Sequence, residues 1–441
     1  MSRGLGDVYK RQVYAGGLVF QQVFGIKELW GIDFFWIAAI GLVVLTAIYT
    51  IFGGMKSVLY TSVLQTPILL LGSLIILVLG FKELGGWDEM MRVCGAVTVN
   101  DYGDTMTNLI RSNDDANFPW LGALIGSAII GFWYWCTDQF IVQRVLSGKN
   151  EKEARRGTIF GAYLKLLPVF LFLIPGMIAF ALHQKYIGAG GEGFLPMLAN
   201  GTANADAAFP TLVAKLLPAG VKGLVVCGIL AALMSSLASL FNSSAMLFTI
   251  DFYKRFRPET PEKKLVGIGQ VATVVIVILG ILWIPIMRSV GDVLYTYLQD
   301  VQSVLAPGIA AAFLLGVCWK RTSAQGGMWG LISGMVIGLT RLGAKVYYSN
   351  AGEVADSTFK YLFYDMNWLF FCGWMFLFCM IVVIVVSLTT KAPTAEKIQG
   401  LVFGTATKEQ KAATRVSWDH WDIIHTVIIL SITAAFYWYF W

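Results

Sequence analysis

The feature that most constrains this chain is a run of 28 residues without a charged side chain, from Gly223 to Ile250. At about 1.5 Å per residue, a helix of this length crosses the roughly 30 Å hydrocarbon core of a bilayer. Because a helix satisfies its own backbone hydrogen bonds in lipid, this run and the similar ones predict ten membrane-spanning helices. The other uncharged or nearly uncharged runs are Phe34 to Met55, Ser57 to Phe81, Phe118 to Thr137, Gly157 to Leu182, Leu265 to Met287, Val293 to Trp319, Thr322 to Thr340, Met366 to Thr390 and Ile423 to Trp441.

Composition and charge agree with a polytopic membrane protein. Hydrophobic residues make up 57% of the chain and charged residues only 14%, which excludes a soluble domain. Loops on one predicted side, including 138–156 and 251–264, carry 18 Lys and Arg, whereas those on the other, including 82–117 and 183–222, carry 11. The positive-inside rule therefore places the first set in the cytoplasm. The net charge of +6 reflects topology and predicts the lipid bilayer, not a nucleic acid, as partner.

Catalytic and metal-binding motifs do not emerge from the sequence. The six cysteines suggest neither a disulfide framework nor a metal cluster, and the three histidines lack metal-site spacing. No nucleophile and base arrangement and no phosphate-binding loop is evident, which argues against a membrane enzyme.

The beginning of the chain is atypical of a complete membrane protein. Residues 1–12 are polar and irregular, and we interpret them as a non-native segment. The apolar piece from Val13 to Ile26 would extend only about 21 Å as a helix, which is short of one span. It is predicted to be a partial helix, and the natural chain is expected to extend upstream.

Two ionisable groups fall inside predicted spans. Burying a charge there costs free energy, so each group is a candidate for a function. Lys165 either extends its amine to the cytoplasmic interface or serves a polar site. Asp300 is followed by Pro307 and Gly308, a pattern that predicts a broken or bent helix, as in transporters, or a simple packed kink. The sequence leaves open whether Asp300 pairs with Lys165 or faces water.

Two further clusters each allow a structural and a functional reading. The aromatic and polar residues from Phe132 to Gln139 either anchor a helix at the membrane interface or stack against and hydrogen-bond a sugar-like ligand. Ser235 and Ser236 either pack helices closely or, with a carbonyl oxygen, bind Na⁺. Ser235, Ser239 and Asn242 share one helical face by their spacing.

Several motifs resemble the sodium/glucose cotransporter branch of the sodium/solute symporter family. The resemblance runs from about Val13 to the C-terminus. It implies an all-α LeuT-type fold of two inverted repeats, with 13–81 as the remainder of the first repeat, 118–319 as the complete second repeat and 320–441 as flanking helices. The first helices of repeat one are expected to be missing. The motifs are Trp133 to Gln139 with Ile141 to Arg144, Leu164 to Leu166, Pro175 to Met177, Leu233 to Leu237, Phe241 to Ser243, and Phe313 to Leu315 with Trp319 to Arg321.

The same resemblance implies a role for individual residues. Sodium ligands are implied at Ala232, through its carbonyl, and at Ser235 and Ser236. One departure is that Thr61 is followed by Ser62 where the family often has an aspartate linked to sodium binding. Another is Gln302, which replaces a small hydroxyl residue that contacts sugar in some members. The implied substrate-binding residues are Tyr134, Trp135, Lys165, Gln299 and Gln302.

The resemblance also implies the function of the parent protein, which is sodium-coupled symport of a sugar or similar polyol across the plasma membrane. Na⁺ is then the coupling ion, and no organic cofactor is expected. The 441 residues as they stand are expected not to perform coupled transport. Two alternatives remain: a sensor that responds to sodium and sugar without flux, and a family member that carries a different polar solute.

Overall fold

The computed structural model describes residues 25–26, 28–198, 201–288, 294–350 and 357–440. The predicted non-native segment 1–12 and most of the partial helix from Val13 lie outside these ranges. A two-residue hairpin opens the described part, with Glu28 paired to Asp33 across a turn at Trp30 and Gly31. Both turn residues have positive φ, at 56° and 75°, as this tight hairpin turn requires.

Helices account for nearly all other regular structure in the described ranges. In chain order, the strands and helices are β1 (Glu28–Leu29), β2 (Ile32–Asp33), α1 (Phe34–Leu84), α2 (Trp87–Gly95), α3 (Trp120–Phe132), α4 (Gln139–Leu146), α5 (Glu151–Pro168), α6 (Ile174–Gly188), α7 (Ala208–Leu216), α8 (Ala219–Met246), α9 (Lys254–Phe256), α10 (Glu262–Arg288), α11 (Leu294–Cys318), α12 (Ala324–Asn350), α13 (Thr358–Lys360), α14 (Trp368–Thr389), α15 (Ala395–Ile398), α16 (Lys408–Ser417) and α17 (His420–Tyr439). Short π-helical turns occupy Trp133–Thr137, Val169–Leu173, Leu247–Tyr253 and Tyr361–Asp365, and a 3₁₀ turn occupies Ala205–Ala207.

Nine helical stretches of the described residues are long and apolar enough to cross a membrane. The tenth predicted span, Thr322 to Thr340, does form a helix, α12, but it is not among the nine because its many glycines and polar residues lower its hydropathy. The nine stretches are Phe34–Ile51, Leu59–Leu84, Trp120–Thr137, Glu151–Gly188, Ala219–Phe256, Glu262–Leu282, Gln299–Cys318, Trp368–Thr389 and His420–Tyr439.

The first two predicted spans, Phe34 to Met55 and Ser57 to Phe81, agree with two separate apolar stretches, Phe34–Ile51 and Leu59–Leu84. The chain between them is helical, because α1 continues from Phe34 to Leu84. Both halves of α1 nevertheless reach the same turn of α8. Tyr49 of the first half hydrogen-bonds to the Met234 carbonyl, and Ser62 of the second half contacts Ser235. Thirteen residues of straight helix would separate positions 49 and 62 by about 20 Å, so α1 is not a straight rod.

The helix is not broken at Pro307 and Gly308, since α11 runs through both residues from Leu294 to Cys318. The other two alternatives, a bent helix and a packed kink, stay predictions. Gly308 lies close to α12: a Cβ atom placed on it would be 3.3 Å from the Gly334 Cα atom. Small residues of this kind let membrane helices pack closely.

The chain divides into two compact units. Unit 1 contains Met1–Val99, Thr105–Thr107 and Leu164–Leu294, and unit 2 contains Asn100–Asp104, Asn108–Tyr163 and Tyr295–Trp441. In the described part of unit 1, the core joins α1, α6, α7 and α8 through residues such as Ile76, Ile178, Leu212 and Val225. The predicted repeats have different boundaries and stay a prediction.

Unit 2 has two packed clusters along α11. One contains Trp133, Ala306, Ala310 and Leu369, and it joins the end of α3 to α11 and α14. The other contains Val304 and Phe371 with neighbouring residues of α14. Opposite faces of α11 are therefore buried in two different clusters. The face of Ala306 and Ala310 packs against the end of α3 and α14, and the face of Val304 packs against other residues of α14.

Candidate functional site

A group of hydroxyls lies between α1 and α8 in unit 1. Ser235 is buried at 7% exposure, and its Oγ atom lies 2.5 Å from the Oγ atom of Ser62. Ser236 and Ala232 are half-buried on the same helix. Positions 232, 235 and 236 span about one helical turn, so the two hydroxyls and the Ala232 carbonyl belong to the same short segment of α8. We call Ser62, Ser235 and Ser236 the hydroxyl cluster.

The backbone around the hydroxyl cluster is held by other side chains. The Tyr49 hydroxyl donates a hydrogen bond to the Met234 carbonyl at 2.7 Å, and the Ser239 hydroxyl donates one to the Ser235 carbonyl at 3.0 Å. Ser239 is fully buried, so the predicted polar track from Ser235 toward Asn242 includes a hydroxyl that is engaged by its own helix. These bonds fix the turn that carries Ser235 and Ser236.

Gln65 adds a polar atom that the sequence analysis missed. Its Oε1 atom is buried and has no hydrogen-bond partner among the described residues. Contacts on either side place it against α8: Ser62 contacts Ser235, and a Cβ atom on Gly228 would lie 3.1 Å from Ile68. A buried acceptor without a donor costs about 1–3 kcal/mol of stability. The Gln65 Oε1 atom therefore suits a site where a bound cation or a polar ligand supplies the missing partner.

The aromatic residues predicted to bind substrate lie on a π-helical turn, Trp133–Thr137, which we call the aromatic turn. Tyr134 is half-buried, and Trp135 is 49% exposed with its ring edge-on to Tyr134 at 5.2 Å. The turn ends at Asp138, whose carboxylate accepts the N–H of Phe140. Burial raises the pKa of Asp138, and the Phe140 N–H opposes that shift. Such π-helical turns frequently occur at functional sites.

Gln299 and Gln302 lie on α11 in the same unit as the aromatic turn, and both are half-buried. Gln302, Ala306 and Ala310 have i, i+4, i+8 spacing and therefore share one face of α11. Ala306 and Ala310 belong to the cluster that contains Trp133 and contacts Tyr134. Gln302 thus lies one turn before the part of this face that packs on the aromatic turn, within unit 2.

Lys165 lies on α5, in the part of that helix assigned to unit 1, and its side chain is exposed. The remaining predicted site residues fall into two sets, one in each unit. Ala232, Ser235 and Ser236 belong to unit 1. Tyr134, Trp135, Gln299 and Gln302 belong to unit 2. Their roles in binding stay predictions.

Asp300 has an environment that neither sequence-based alternative included. It is 7% exposed, and its two oxygens bind Arg341 at 3.3 Å and Lys345 at 2.5 Å. Arg341 is fully buried, donates to the Met366 carbonyl at 2.8 Å and lies over the Phe371 ring at 4.0 Å. We call Asp300, Arg341 and Lys345 the ion cluster. The signal in the sequence is a basic pair at i, i+4, Arg341 and Lys345, directly after the predicted span Thr322 to Thr340.

The described residues contain no group of three or more His, Cys, Asp or Glu side chains that could hold a metal ion. Within the described ranges, the predicted sodium ligands belong to the hydroxyl cluster, with Gln65 nearby. Neutral hydroxyl, carbonyl and amide oxygens are the ligand types that a hard cation such as Na⁺ accepts. Na⁺ bound there would be a transported substrate, not a resident cofactor.

Comparison with known proteins gives a consistent set of matches. A family model described as "Sodium:solute symporter family" matches residues 9–334. The chain is 35% identical over 404 residues to the sodium/myo-inositol cotransporter 2 of Homo sapiens, covering 89% of this chain and 59% of that protein. It is 34% identical over 449 residues to the sodium/mannose cotransporter SLC5A10 of Bos taurus, covering 97% of this chain and 74% of that protein.

Two further matches complete the comparison. The chain is 34% identical over 404 residues to the sodium/glucose cotransporter 4 of Mus musculus, covering 89% of this chain and 58% of that protein. A solved substrate-bound, outward-open structure of a Na⁺-coupled sialic acid symporter aligns with a TM-score of 0.62 at 20% identity, covering 88% of this chain and 74% of that one. The structural match supports the all-α LeuT-type fold. The chain spans about three fifths of the human inositol cotransporter.

Proposed function

Since the chain belongs to the sodium:solute symporter family, we propose that the full-length protein couples the entry of Na⁺ to the transport of a sugar or similar polyol. The chain is a multi-pass integral membrane protein, and we place the full-length protein in the plasma membrane. The relatives named for inositol, mannose and glucose support a polyhydroxylated substrate. They do not distinguish among these three.

The observation that carries the proposal is the hydroxyl cluster. Ser62 and Ser235 bring two side-chain oxygens together in the membrane-spanning part of unit 1, and Ser236 and the Ala232 carbonyl lie within the same turn of α8. None of these groups carries a charge. A site of neutral oxygens binds Na⁺ weakly enough to release it, which a symporter requires on the side of low sodium concentration.

Substrate recognition is assigned to Tyr134, Trp135, Lys165, Gln299 and Gln302. Aromatic rings offer flat apolar faces to a sugar ring, whereas an amide both donates and accepts hydrogen bonds and so matches a hydroxyl. The shared face of Gln302 and the residues that pack on the aromatic turn supports this assignment within unit 2. Lys165, on the part of α5 in unit 1, is assigned by the family resemblance alone.

Coupling follows from linkage. If Na⁺ binds preferentially to the outward-facing conformation that accepts substrate, it shifts the population toward that state by its difference in affinity. The membrane potential adds about 2.3 kcal/mol per 100 mV for each charge moved. Low intracellular sodium then empties the site, and the substrate leaves on the same side.

The test is uptake of labelled inositol, mannose, glucose and galactose by the full-length protein in liposomes, with Na⁺ or choline outside. We expect uptake of at least one of these substrates in Na⁺ and loss of that uptake in choline. Gln302→Ala should raise the KM for that substrate by about tenfold, since a lost hydrogen bond to a polar ligand costs on the order of 1.5 kcal/mol.

Gln270→Leu is the matched control, because Gln270 lies in unit 1 and donates its amide hydrogen to the Ile51 carbonyl. It should leave KM unchanged. Equal uptake in Na⁺ and choline would contradict the proposal. Sodium-dependent binding without counterflow of labelled substrate would identify a sensor instead.

A further inference from the structure

Helix α11 packs closely against α12 along one stripe of each helix. A Cβ atom placed on Gly308 of α11 would lie 3.3 Å from the Gly334 Cα atom of α12. One turn away, a Cβ atom placed on Gly338 of α12 would lie 2.6 Å from the Cγ1 atom of Val304 on α11. The two helices come this close because small residues occupy these positions.

The ion cluster continues this stripe by one more turn. Asp300, Val304 and Gly308 have i, i+4, i+8 spacing and share one face of α11. The two oxygens of Asp300 meet Arg341 and Lys345, which follow the glycines along α12. Positions on α11 therefore fall as their partners on α12 rise. The two helices run antiparallel in a single register, with contacts at three successive turns.

The glycines and the ion cluster contribute differently to this interface. A helix surface without side chains permits close approach, but it offers no directional bond that opposes a rotation of α11 about its own axis. Arg341 is fully buried, donates to the Met366 carbonyl at 2.8 Å and lies over the Phe371 ring, so its guanidinium group is also held by partners other than Asp300. Asp300 binds two cations one turn apart on α12, and these charge-assisted bonds fix its direction from the α11 axis.

The face of α11 that bears Gln302 is nearly opposite to the one that bears Asp300. At 3.6 residues per turn, positions 300 and 302 are about 160° apart around the helix axis. A side chain reaches about 5–6 Å from that axis, so a rotation of α11 by about 20° would move the end of Gln302 by about 2 Å. A hydrogen bond joins heavy atoms that are only about 2.7–3.2 Å apart, and a shift of this size breaks it.

We propose that Asp300, Arg341 and Lys345 are positioning residues for substrate binding, because they fix the rotation of α11 that presents Gln302. They do not touch the substrate and act through Gln302. This role rests on the proposed function, in which Gln302 hydrogen-bonds to a sugar or polyol.

Lys345 is the member of the ion cluster whose removal disturbs the fold least. Its side chain is 33% exposed, whereas that of Arg341 is fully buried. Without Lys345, Asp300 keeps Arg341 as its partner, and this buried pair is neutral. Lys345→Met therefore releases one oxygen of Asp300 from α12 without leaving a fully buried charge uncompensated.

The experiment measures uptake by the full-length protein in liposomes, with whichever of labelled inositol, mannose, glucose and galactose the wild type carries best. Lys345→Met should raise the KM for that substrate about tenfold, as the loss of the Gln302 hydrogen bond does. The half-activating sodium concentration should stay near wild type, because the hydroxyl cluster belongs to unit 1. Lys345→Arg keeps the charge and the donors and should restore most of the wild-type KM. Lys320→Met, which removes an exposed lysine just beyond the other end of α11, is the matched control and should change neither quantity.

The double variant Lys345→Met with Gln302→Ala separates positioning from a general disturbance of the protein. Because Lys345 acts through Gln302, adding Lys345→Met to Gln302→Ala should raise KM by less than about twofold, whereas independent effects would multiply. A multiplied KM would overturn the proposal, and so would an unchanged KM in Lys345→Met. If Lys345→Met does not fold, Lys345→Gln provides the same test with a smaller change and should raise KM severalfold.

A failure of the proposed function has a different signature. The wild type would then take up substrate equally in Na⁺ and choline, or would bind substrate without uptake. The ratios among the same variants are still measured in those cases, as KM or as the dissociation constant of the substrate.

Discussion

The hydroxyl cluster of unit 1 and the ion cluster of unit 2 place polar groups among apolar helices in opposite ways. Ser62 and Ser235 are neutral, and the acceptor of Gln65 beside them has no partner among the described residues. Asp300, in contrast, binds two cations, and Arg341 is fully buried against a carbonyl and an aromatic ring. The first arrangement leaves a neutral acceptor open to a ligand. In the second the charges are paired with one another, and only the Arg341 Nε donor lacks a hydrogen-bond partner among the described residues.

This difference indicates which polar group inside a membrane protein serves transport. Placing a charge inside the membrane costs free energy, so an intramembrane charge such as that of Asp300 is usually taken as a candidate for function. Here the charge is compensated by partners on a neighbouring helix and holds α11 to α12. The less expensive neutral oxygens are the better candidates for reversible ion binding. The following predictions test whether the two clusters really differ in this way.

The largest effect is expected from Asp300→Asn. This change leaves Arg341 buried without its counter-charge, and breaking a buried pair by removing one partner typically costs about 3–5 kcal/mol. The free energy of unfolding of the purified protein should fall by about that amount. Adding Arg341→Met should recover most of the loss, because the fully buried charge is then gone and the remaining cation, Lys345, is one third exposed.

Asp419→Asn is the matched control for that experiment. It removes the acid of an exposed pair, and asparagine still caps the first turn of α17. The loss should be about 0–1 kcal/mol. Equal losses in the two variants would show that the ion cluster is not a buried, mutually dependent set.

A smaller effect, of opposite sign, is expected from Gln65→Leu. Removing a buried acceptor that has no donor relieves a cost of about 1–3 kcal/mol, so the stability without Na⁺ should stay unchanged or rise. The sodium concentration that half-activates transport should rise severalfold, since an oxygen beside the hydroxyl cluster is lost. Thermal unfolding and sodium-dependent uptake measure the two quantities.

Gln270→Leu again provides the comparison, because its amide is already hydrogen-bonded. It should lower stability by about 1 kcal/mol and leave sodium activation unchanged. If Gln65→Leu behaves in the same way, the orphaned acceptor has no connection with the ion.

The smallest effect is expected from Tyr49→Phe. This change removes the hydrogen bond to the Met234 carbonyl and should cost about 1 kcal/mol of unfolding free energy. Because the carbonyl lies beside the hydroxyl cluster without belonging to it, sodium affinity should change by less than twofold. Tyr60→Phe, at an exposed position, is the control and should change neither quantity.

The sequence could predict the membrane class, the family and the position of Ser235 and Ser236, because long apolar runs and an unusual pair of hydroxyls are local signals. It could not predict Ser62 or Gln65 as neighbours of α8. Those contacts depend on how both halves of α1 reach one turn of that helix, and this long-range pairing leaves no periodic signal in the chain.

The errors have equally physical causes. The predicted span Thr322 to Thr340 ends just before the charges of Arg341 and Lys345, yet α12 continues through both residues, and Asp300 compensates them inside the fold. Local chemistry at Pro307 allowed a break, a bend or a packed kink. That α11 is continuous there depends on tertiary structure, which local chemistry does not encode.

The most direct test of the central claim is the sodium dependence of uptake by the full-length protein carrying Ser235→Ala and Ser236→Ala. Thr433→Val serves as the control, because the Thr433 hydroxyl bonds only to the Ile429 carbonyl of its own helix. We predict that the half-activating sodium concentration rises at least tenfold, while substrate KM at saturating sodium and the control stay near wild type. An unchanged sodium activation curve in the double alanine variant would contradict the account.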